Sequence, residues 1–205
     1  MEHDTLATLR EAVIRVGEGR GFLVEWPRDL TRVVITAARC LPRLPDTADP
    51  AAYAEEHAYA NLLGPLGESL SVWAELLFVD PRADLAVLCM PDTQERVKDA
   101  EAYDELVKDR PVFRIALVPE TCPGWIFSLN RGLLACTVRP VPTRRSRLGI
   151  LDTTIVSGMS GSPILREDGS AVGVISSKEL HPRLDEDLPG GLFAELRTDV
   201  RPEPT

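Results

Sequence analysis

Three short segments, far apart in the chain, carry polar residues whose types could do chemistry. Arg39 follows the largely apolar run 33–38, Asp84 precedes the apolar run 85–88, and Ser160 lies in a glycine-flanked turn. A serine hydroxyl is a weak nucleophile unless a neighbouring group accepts its proton. A guanidinium has five N–H donors, no acceptor lone pair and a pKa above about 12. Arg39 therefore cannot act as a general base.

The same segments resemble the trypsin-like (chymotrypsin-fold) serine peptidases. Residues 33–40 read V-V-I-T-A-A-R-C, which is similar to the family's V-V-T-A-A-H-C, and residues 82–88 resemble the strand that supplies the triad aspartate. Residues 158–165, G-M-S-G-S-P-I-L, resemble G-D-S-G-G-P-L-V around the nucleophile, and Gly19–Val24 resembles the hairpin that opens the first barrel. Each segment alone is a common turn or strand pattern. Their order and spacing together make coincidence improbable.

The resemblance implies a role for each polar residue. Ser160 takes the nucleophile position, Asp84 takes the position of the acid that orients the base, and Arg39 replaces the histidine. The backbone N–H groups of Gly158 and Ser160 would form an oxyanion hole. An active triad needs an imidazole to take the serine proton and return it, so the resemblance predicts an incomplete site.

The primary specificity pocket is the second site that the resemblance implies. Thr154, six positions before the serine, would form its floor, and Ser176 and Ser177 would line its wall. The absence of a carboxylate at Thr154 gives no support for a preference for lysine or arginine. Cleavage specificity is otherwise not predicted.

Plainer roles for the same residues stay open at this point. Ser160 is also explained as an ordinary turn serine, and Asp84 as a cap at the end of a strand. A substitute base could come from His57 or His181, of which His181 is the better candidate because its strand passes near the pocket in the family. Such a base would have to come within hydrogen-bond reach of the serine.

The fold that the resemblance implies is all-β, with two packed six-stranded antiparallel Greek-key barrels and a few surface helices. A chain of 205 residues, 44% of them hydrophobic, is long enough to bury two such cores. We expect residues 1–110 to form the N-terminal barrel with a helical insertion and a linker helix. Residues 111–205 should form the C-terminal barrel and a tail.

Local patterns predict the elements within this frame. The first fifteen residues favour either a short helix or an edge strand, residues 49–63 indicate a surface helix, and residues 95–108 indicate a charged helix capped by Asp92. Strands of the first barrel are predicted at 22–26, 32–36, 71–79 and 86–89. Strands of the second barrel are predicted at 112–118, 124–129, 133–138, 149–154, 163–165 and 171–176.

Charge and cysteine content restrict the compartment and the partners. The net charge of −9 argues against nucleic-acid binding, which needs a concentrated positive face. No apolar run approaches the ~20 residues of a membrane span, and residues 1–4 lack the character of a secretion signal, so we expect a cytoplasmic protein without a membrane partner. Secreted relatives join the cysteine after the histidine to a second cysteine, in whose approximate place this chain has Val24, so Cys40 should be a reduced, buried thiol. No cysteine pair has zinc-ligand spacing, and neither a cofactor nor a metal is expected.

Two functions from different classes remain. The first is a serine-peptidase homologue that does not cleave, and that serves as a protein-binding or regulatory module for a protein or peptide ligand. The second is a genuine intracellular serine endopeptidase, in which Arg39 is an inactivating substitution or the base comes from elsewhere. The sequence favours the first, because the mechanism strictly requires an acceptor lone pair at the position of Arg39.

Overall fold

Strands form most of the regular structure in the computed structural model. The structure describes residues 3–26, 31–44, 58–81, 83–91, 96–128, 131–141, 148–151, 153, 155–156 and 158–176. Within these ranges the strands form two sheets, one of which closes into a barrel. The all-β, chymotrypsin-like fold class predicted from the sequence is confirmed.

The first sheet is a closed barrel of six antiparallel strands in the order β1-β2-β3-β6-β5-β4. Its strands are β1 Val13–Val16, β2 Gly19–Glu25, β3 Arg32–Thr36, β4 Ala58–Gly64, β5 Val72–Asp80 and β6 Leu85–Cys89. Pairing of Val16 with Leu63 joins β1 to β4 and closes the barrel. Six of the seven residues of β2 are buried, because this strand packs inside the barrel on one face and against the second sheet on the other. The barrel therefore has no free edge to pair with another chain.

The second sheet is a curled, antiparallel, five-stranded half-barrel in the order β11-β10-β7-β8-β9. Its strands are β7 Cys122–Ser128, β8 Gly132–Pro140, β9 Leu148–Leu151, β10 Pro163–Leu165 and β11 Ala171–Val174. The β10–β11 hairpin turns at Gly169, which has a positive φ of 78°. Buried apolar side chains of β7, β8, β10 and β11 pack with Met159 and Ile175 into the core of this sheet.

The sixth strand expected in the second barrel, at residues 112–118, is not a regular strand. The segment makes one parallel bridge to each sheet, Val24 with Phe113 and Ile115 with Ala171. The Phe113 N–H donates to the Leu23 carbonyl at 2.8 Å, and the Ala116 N–H donates to the Ala171 carbonyl at 2.9 Å. Because its hydrogen bonds are divided between the two sheets, the segment connects them and extends neither.

The surface helix predicted at residues 49–63 is wrong over its second half, where strand β4 occupies 58–64; residues 49–57 lie outside the described part of the chain. Leu62 and Leu63 are buried, and Leu63 pairs with both Val16 and Val72. A bulge at Asn61, whose φ is 48°, interrupts the pairing with β5. Closure of the barrel thus overrides the local helical preference of the alanine-rich sequence.

Two helices flank the first barrel, α1 His3–Glu11 and α2 Val97–Val107. Of the two alternatives for the first fifteen residues, the short helix is present as α1; strand β1 follows it but is not an edge strand, because it pairs with both β2 and β4. In α2 the buried Tyr103 donates its hydroxyl to the Arg32 carbonyl at 3.0 Å, and burial raises the pKa of this phenol. The proposed cap Asp92 lies outside the described residues. Neither of these helices has the length and apolar character that a membrane crossing would need.

A close backbone contact joins the two sheets at the turn that contains Ser160. The Arg20 N–H, on β2, donates to the Ser160 carbonyl at 2.8 Å. A Cβ atom added at Gly161 would lie 1.7 Å from the Arg20 carbonyl oxygen, and the φ of this glycine is 81°. Only glycine fits here, because both the space and the backbone conformation exclude a side chain.

Substitution of this glycine should be far more damaging than substitution of a glycine with the same conformation in open space. We expect Gly161→Ala to lower the free energy of unfolding by about 3 kcal/mol or more, since a backbone clash adds to the strain of a left-handed residue. The matched control is Gly169→Ala, where φ is 78° and no atom lies within 4 Å of the added Cβ, and its expected cost is about 1 kcal/mol. Urea unfolding measures both; equal losses would contradict the proposed contact between the sheets.

Candidate active site

The turn that carries Ser160 is held by its own backbone and by a buried methionine. The Ser162 N–H donates to the Met159 carbonyl at 3.0 Å, and the Gly161 N–H donates to the Ile175 carbonyl at 2.8 Å. The Met159 side chain is 1% exposed, and its sulfur accepts a hydrogen bond from the Val156 N–H at 3.4 Å. Apolar burial thus anchors the turn at the position where the family motif has an aspartate.

Ser160 lies beside the segment that carries Arg39. A Cβ atom added at Gly19 would lie 2.5 Å from the Cys40 sulfur and 2.6 Å from the Ser160 carbonyl oxygen. Cys40 and Ser160 therefore both lie against Gly19, and only a residue without a side chain fits between them. The residue that faces Cys40 is Gly19 and not Val24, which pairs with Val33 and packs in the core between the barrel and the second sheet. Cys40 is a free, buried thiol, and burial raises its pKa.

Backbone N–H groups of the turn that carries Arg39 hold Asp84 in place. Asp84 adopts a left-handed backbone with φ of 54°, a conformation that aspartate tolerates better than most residues. Its carbonyl accepts the Ala38 N–H at 3.2 Å, and its Oδ1 accepts the Arg39 N–H at 3.0 Å. These two hydrogen bonds fix Asp84 directly against the short 3₁₀ turn Ala38–Cys40.

The Arg39 side chain folds back onto this carboxylate. Its Nε donates to Asp84 Oδ2 at 2.8 Å, and its Nη2 forms a second, short contact with the same oxygen. The side chain of Arg39 is 34% exposed and that of Asp84 is 15% exposed. A charge-assisted pair of this kind satisfies both groups in a partly desolvated cleft.

Ser176 completes the charged cluster from the second sheet. Its hydroxyl donates to Asp84 Oδ2 at 2.8 Å and accepts a hydrogen bond from Arg39 Nη2 at 3.1 Å. The sequence indicated only a pocket-lining role for Ser176. In the structure its hydroxyl instead donates to the Asp84 carboxylate. Thr154 and Ser177, the other predicted pocket residues, lie outside the described residues. The position of Ser176 directly after a buried strand is the only sequence signal for the contact.

Arg20 contacts the serine turn, a role that no sequence pattern indicated. Its side chain is 7% exposed, and its Nη1 donates to the Phe127 carbonyl at 3.2 Å and to the Ser162 hydroxyl at 3.3 Å. Burial lowers the pKa of its guanidinium, which nevertheless stays charged. No carboxylate of the described residues forms a salt bridge with it. The residue holds the serine turn through neutral acceptors.

The hydroxyl of Ser160 has no hydrogen-bond partner among the described residues. In the same part of the chain, the backbone N–H groups of Ser160 and Gly158 donate to no protein acceptor. His57 and His181, the substitute bases considered from sequence, lie outside the described residues. Among the described residues, the structure therefore joins Arg39, Asp84 and Ser176 and gives the Ser160 hydroxyl no partner.

Comparison with known proteins identifies the family. Residues 19–174 match the model of the trypsin-like peptidase domain. Among solved structures, the inactive form of the Rv3671c protease from M. tuberculosis is 15% identical with a TM-score of 0.45, covering 82% of this chain and 79% of that one. The NSP4 proteinase from Equine Arteritis Virus is 20% identical with a TM-score of 0.46, covering 80% of this chain and 65% of that one. No curated protein sequence gives a match.

The family model spans the opening hairpin, the arginine turn, the acid and the serine turn, which are the elements that build the site described above. With a closed six-stranded barrel and a curled half-barrel around that site, this chain belongs to the trypsin-like peptidase family.

Proposed function

We propose that this chain is a trypsin-like peptidase homologue that does not cleave peptides and that acts as a protein-binding or regulatory module. The observation that carries the proposal is the guanidinium of Arg39 on Asp84 Oδ2, which is the oxygen that also accepts the Ser176 hydroxyl. The group in the position of the base is thus a permanent donor. Cys40, Cys89, Cys122 and Cys136 form no disulfide, which supports a reducing, cytoplasmic setting for this role.

Proton transfer is the step that this arrangement lacks. The acid of a working triad holds an imidazole that alternately accepts and donates the serine proton. A guanidinium keeps its protons at every accessible pH and has no lone pair to offer. Removal of the histidine alone from a serine peptidase lowers kcat by about 10⁶. Because Arg39 also donates to the Asp84 carboxylate, a substitute base would have to displace it before Asp84 could orient that base.

The alternative, a genuine intracellular serine endopeptidase, has one specific observation in its favour. Apart from the missing base, the serine turn is well formed: Gly158 and Gly161 have φ values of 82° and 81°, and Ser176 bonds the acid. Such a turn could accept a base from His181 or from a partner chain. The two functions differ in whether the Ser160 hydroxyl is reactive, and this difference can be measured directly.

Arg39 should stabilise the fold through its ion pair. Because Asp84 is largely buried but keeps the Arg39 backbone N–H and the Ser176 hydroxyl, we expect Arg39→Ala to lower the free energy of unfolding by about 1–2 kcal/mol, between the values for exposed and buried pairs. In an Asp84→Asn background, the same change should cost much less. Thermal and urea unfolding measure this double-mutant cycle.

A surface pair supplies the control for that cycle. Lys108 pairs with Glu105 three residues away, and both side chains are well exposed, so Lys108→Ala should leave the thermal midpoint unchanged. If Arg39→Ala cost as much in the Asp84→Asn background as in the natural chain, Arg39 would stabilise by packing, and the ion pair would lose its proposed role.

Reactivity of Ser160 should depend on restoring an imidazole. We expect a serine-directed fluorophosphonate or diphenyl phosphonate to leave the natural chain unlabelled, and to label Arg39→His at a rate that rises through the histidine pKa. Intact-mass spectrometry counts the adduct, and Ser160→Ala in the Arg39→His background is the control for the labelled site. Labelling of the natural chain at Ser160 would exclude the non-cleaving function.

A further inference from the structure

Arg20 carries a buried positive charge between the two sheets. Its side chain is 7% exposed, and within the described part of the chain it forms no salt bridge with a carboxylate. Its guanidinium carbon lies 5.9 Å from the centroid of the Phe127 ring on strand β7, and its Nη1 donates to the Phe127 carbonyl at 3.2 Å. Removal of a charge from water is costly when no counter-ion accompanies it. A stabilising charge pair therefore does not account for an arginine at this position.

The second contact of this guanidinium is with a serine in the turn that carries Ser160. Arg20 Nη1 donates to the Ser162 hydroxyl at 3.3 Å, and Ser162 is 0% exposed. Ser162 stands where the family motif G-D-S-G-G-P has its last glycine. A buried hydroxyl is costly unless it is hydrogen-bonded. The hydroxyl that this chain adds to the motif is thus held by Arg20.

The backbone of Arg20 holds the same turn. Its N–H donates to the Ser160 carbonyl at 2.8 Å. Its carbonyl accepts the Thr36 hydroxyl at 2.6 Å and lies 1.7 Å from the place of an added Cβ at Gly161. The main chain of Arg20 thus contacts residues 160 and 161, and its side chain contacts residue 162. One residue of strand β2 therefore contacts three consecutive residues of the serine turn.

We propose that Arg20 is a positioning residue for Ser160, and that its guanidinium keeps the serine turn in the single conformation that presents the Ser160 hydroxyl. It acts through Ser162 and Phe127 and does not contact that hydroxyl itself. This role goes beyond the proposed function, since it concerns the shape of the turn and holds whether or not the chain cleaves peptides. Loss of the guanidinium should therefore loosen the turn more than it loosens the rest of the fold.

Amide hydrogen exchange, resolved by NMR, measures this difference without any catalytic activity. Two N–H groups report on the turn, that of Arg20, which donates to the Ser160 carbonyl, and that of Gly161, which donates to the Ile175 carbonyl. We expect Arg20→Met to speed exchange at both positions by about 10- to 100-fold relative to the amides of strands β3 and β6, as for the loss of a hydrogen bond to a charged group. A contribution to global stability alone would speed all of these amides equally.

Two further variants make the comparison specific. Tyr103→Phe is the matched control, because it removes a buried hydroxyl that donates to the Arg32 carbonyl at 3.0 Å and should lower the urea midpoint without a selective effect on the turn. Ser162→Ala removes only the acceptor and should speed the turn amides selectively. Combined with Arg20→Met it should add little, because both changes break the same contact. If Arg20→Met does not fold, Ser162→Ala still decides.

The reactivity of Ser160 supplies a readout that a merely structural role would not change. In the Arg39→His background, Arg20→Met should lower the maximal rate of phosphonate labelling by about tenfold or more and leave the phosphonate concentration for half-maximal rate nearly unchanged. Tyr103→Phe should change neither. If Arg39→His is not labelled, the exchange comparison on the natural chain decides alone. An undiminished labelling rate, or turn amides that exchange no faster than the barrel amides in folded Arg20→Met, would overturn this role.

Discussion

The contact between strand β2 and the serine turn is the constraint on which the site depends. The Arg20 amide bonds the Ser160 carbonyl, and the Arg20 carbonyl accepts the Thr36 hydroxyl at 2.6 Å while it fills the space where Gly161 would carry a side chain. The buried Arg20 guanidinium then crosses to Phe127 and to the serine turn. These backbone and side-chain contacts hold the first barrel and the serine turn of the second sheet in a fixed relative position. None of these contacts involves the Arg39 side chain.

The carboxylate of Asp84 is held by contacts separate from that frame. Asp84 needs donors on its carboxylate, and the Arg39 backbone N–H and the Ser176 hydroxyl supply two of them whatever the side chain at position 39. The Arg39 guanidinium adds charge-assisted donors to Oδ2. Both oxygens of the carboxylate therefore accept hydrogen bonds. The guanidinium also places a permanent positive charge against the carboxylate, which a neutral imidazole would not.

The sequence predicted the parts of the fold that local chemistry determines. Strands β2, β3, β5 and β6 and helix α2 follow from apolar alternation and helix signals, and the contact between Arg39 and Asp84 is consistent with the order of the motifs. The prediction failed where contacts between residues far apart in the sequence determine the structure. Segment 58–64 forms strand β4 because Leu63 closes the barrel. Residues 112–118 do not extend either sheet because they divide their hydrogen bonds between the two. The Ser176 contact with Asp84 spans 92 positions, and no pattern within one segment encodes such a distance. For the same reason, the neutral partners of Arg20 could be found only in the structure.

The serine turn is fixed before any ligand arrives. The Val156 N–H donates to the Met159 sulfur, and Arg20 Nη1 donates to the Ser162 hydroxyl. In a working triad the amides and hydroxyl of such a turn are donors directed at the substrate, and an imidazole lone pair receives the serine proton. None of the described residues forms a hydrogen bond with the Ser160 hydroxyl. A turn fixed in advance offers donors that need no reordering, which is the condition under which a few hydrogen bonds give useful affinity.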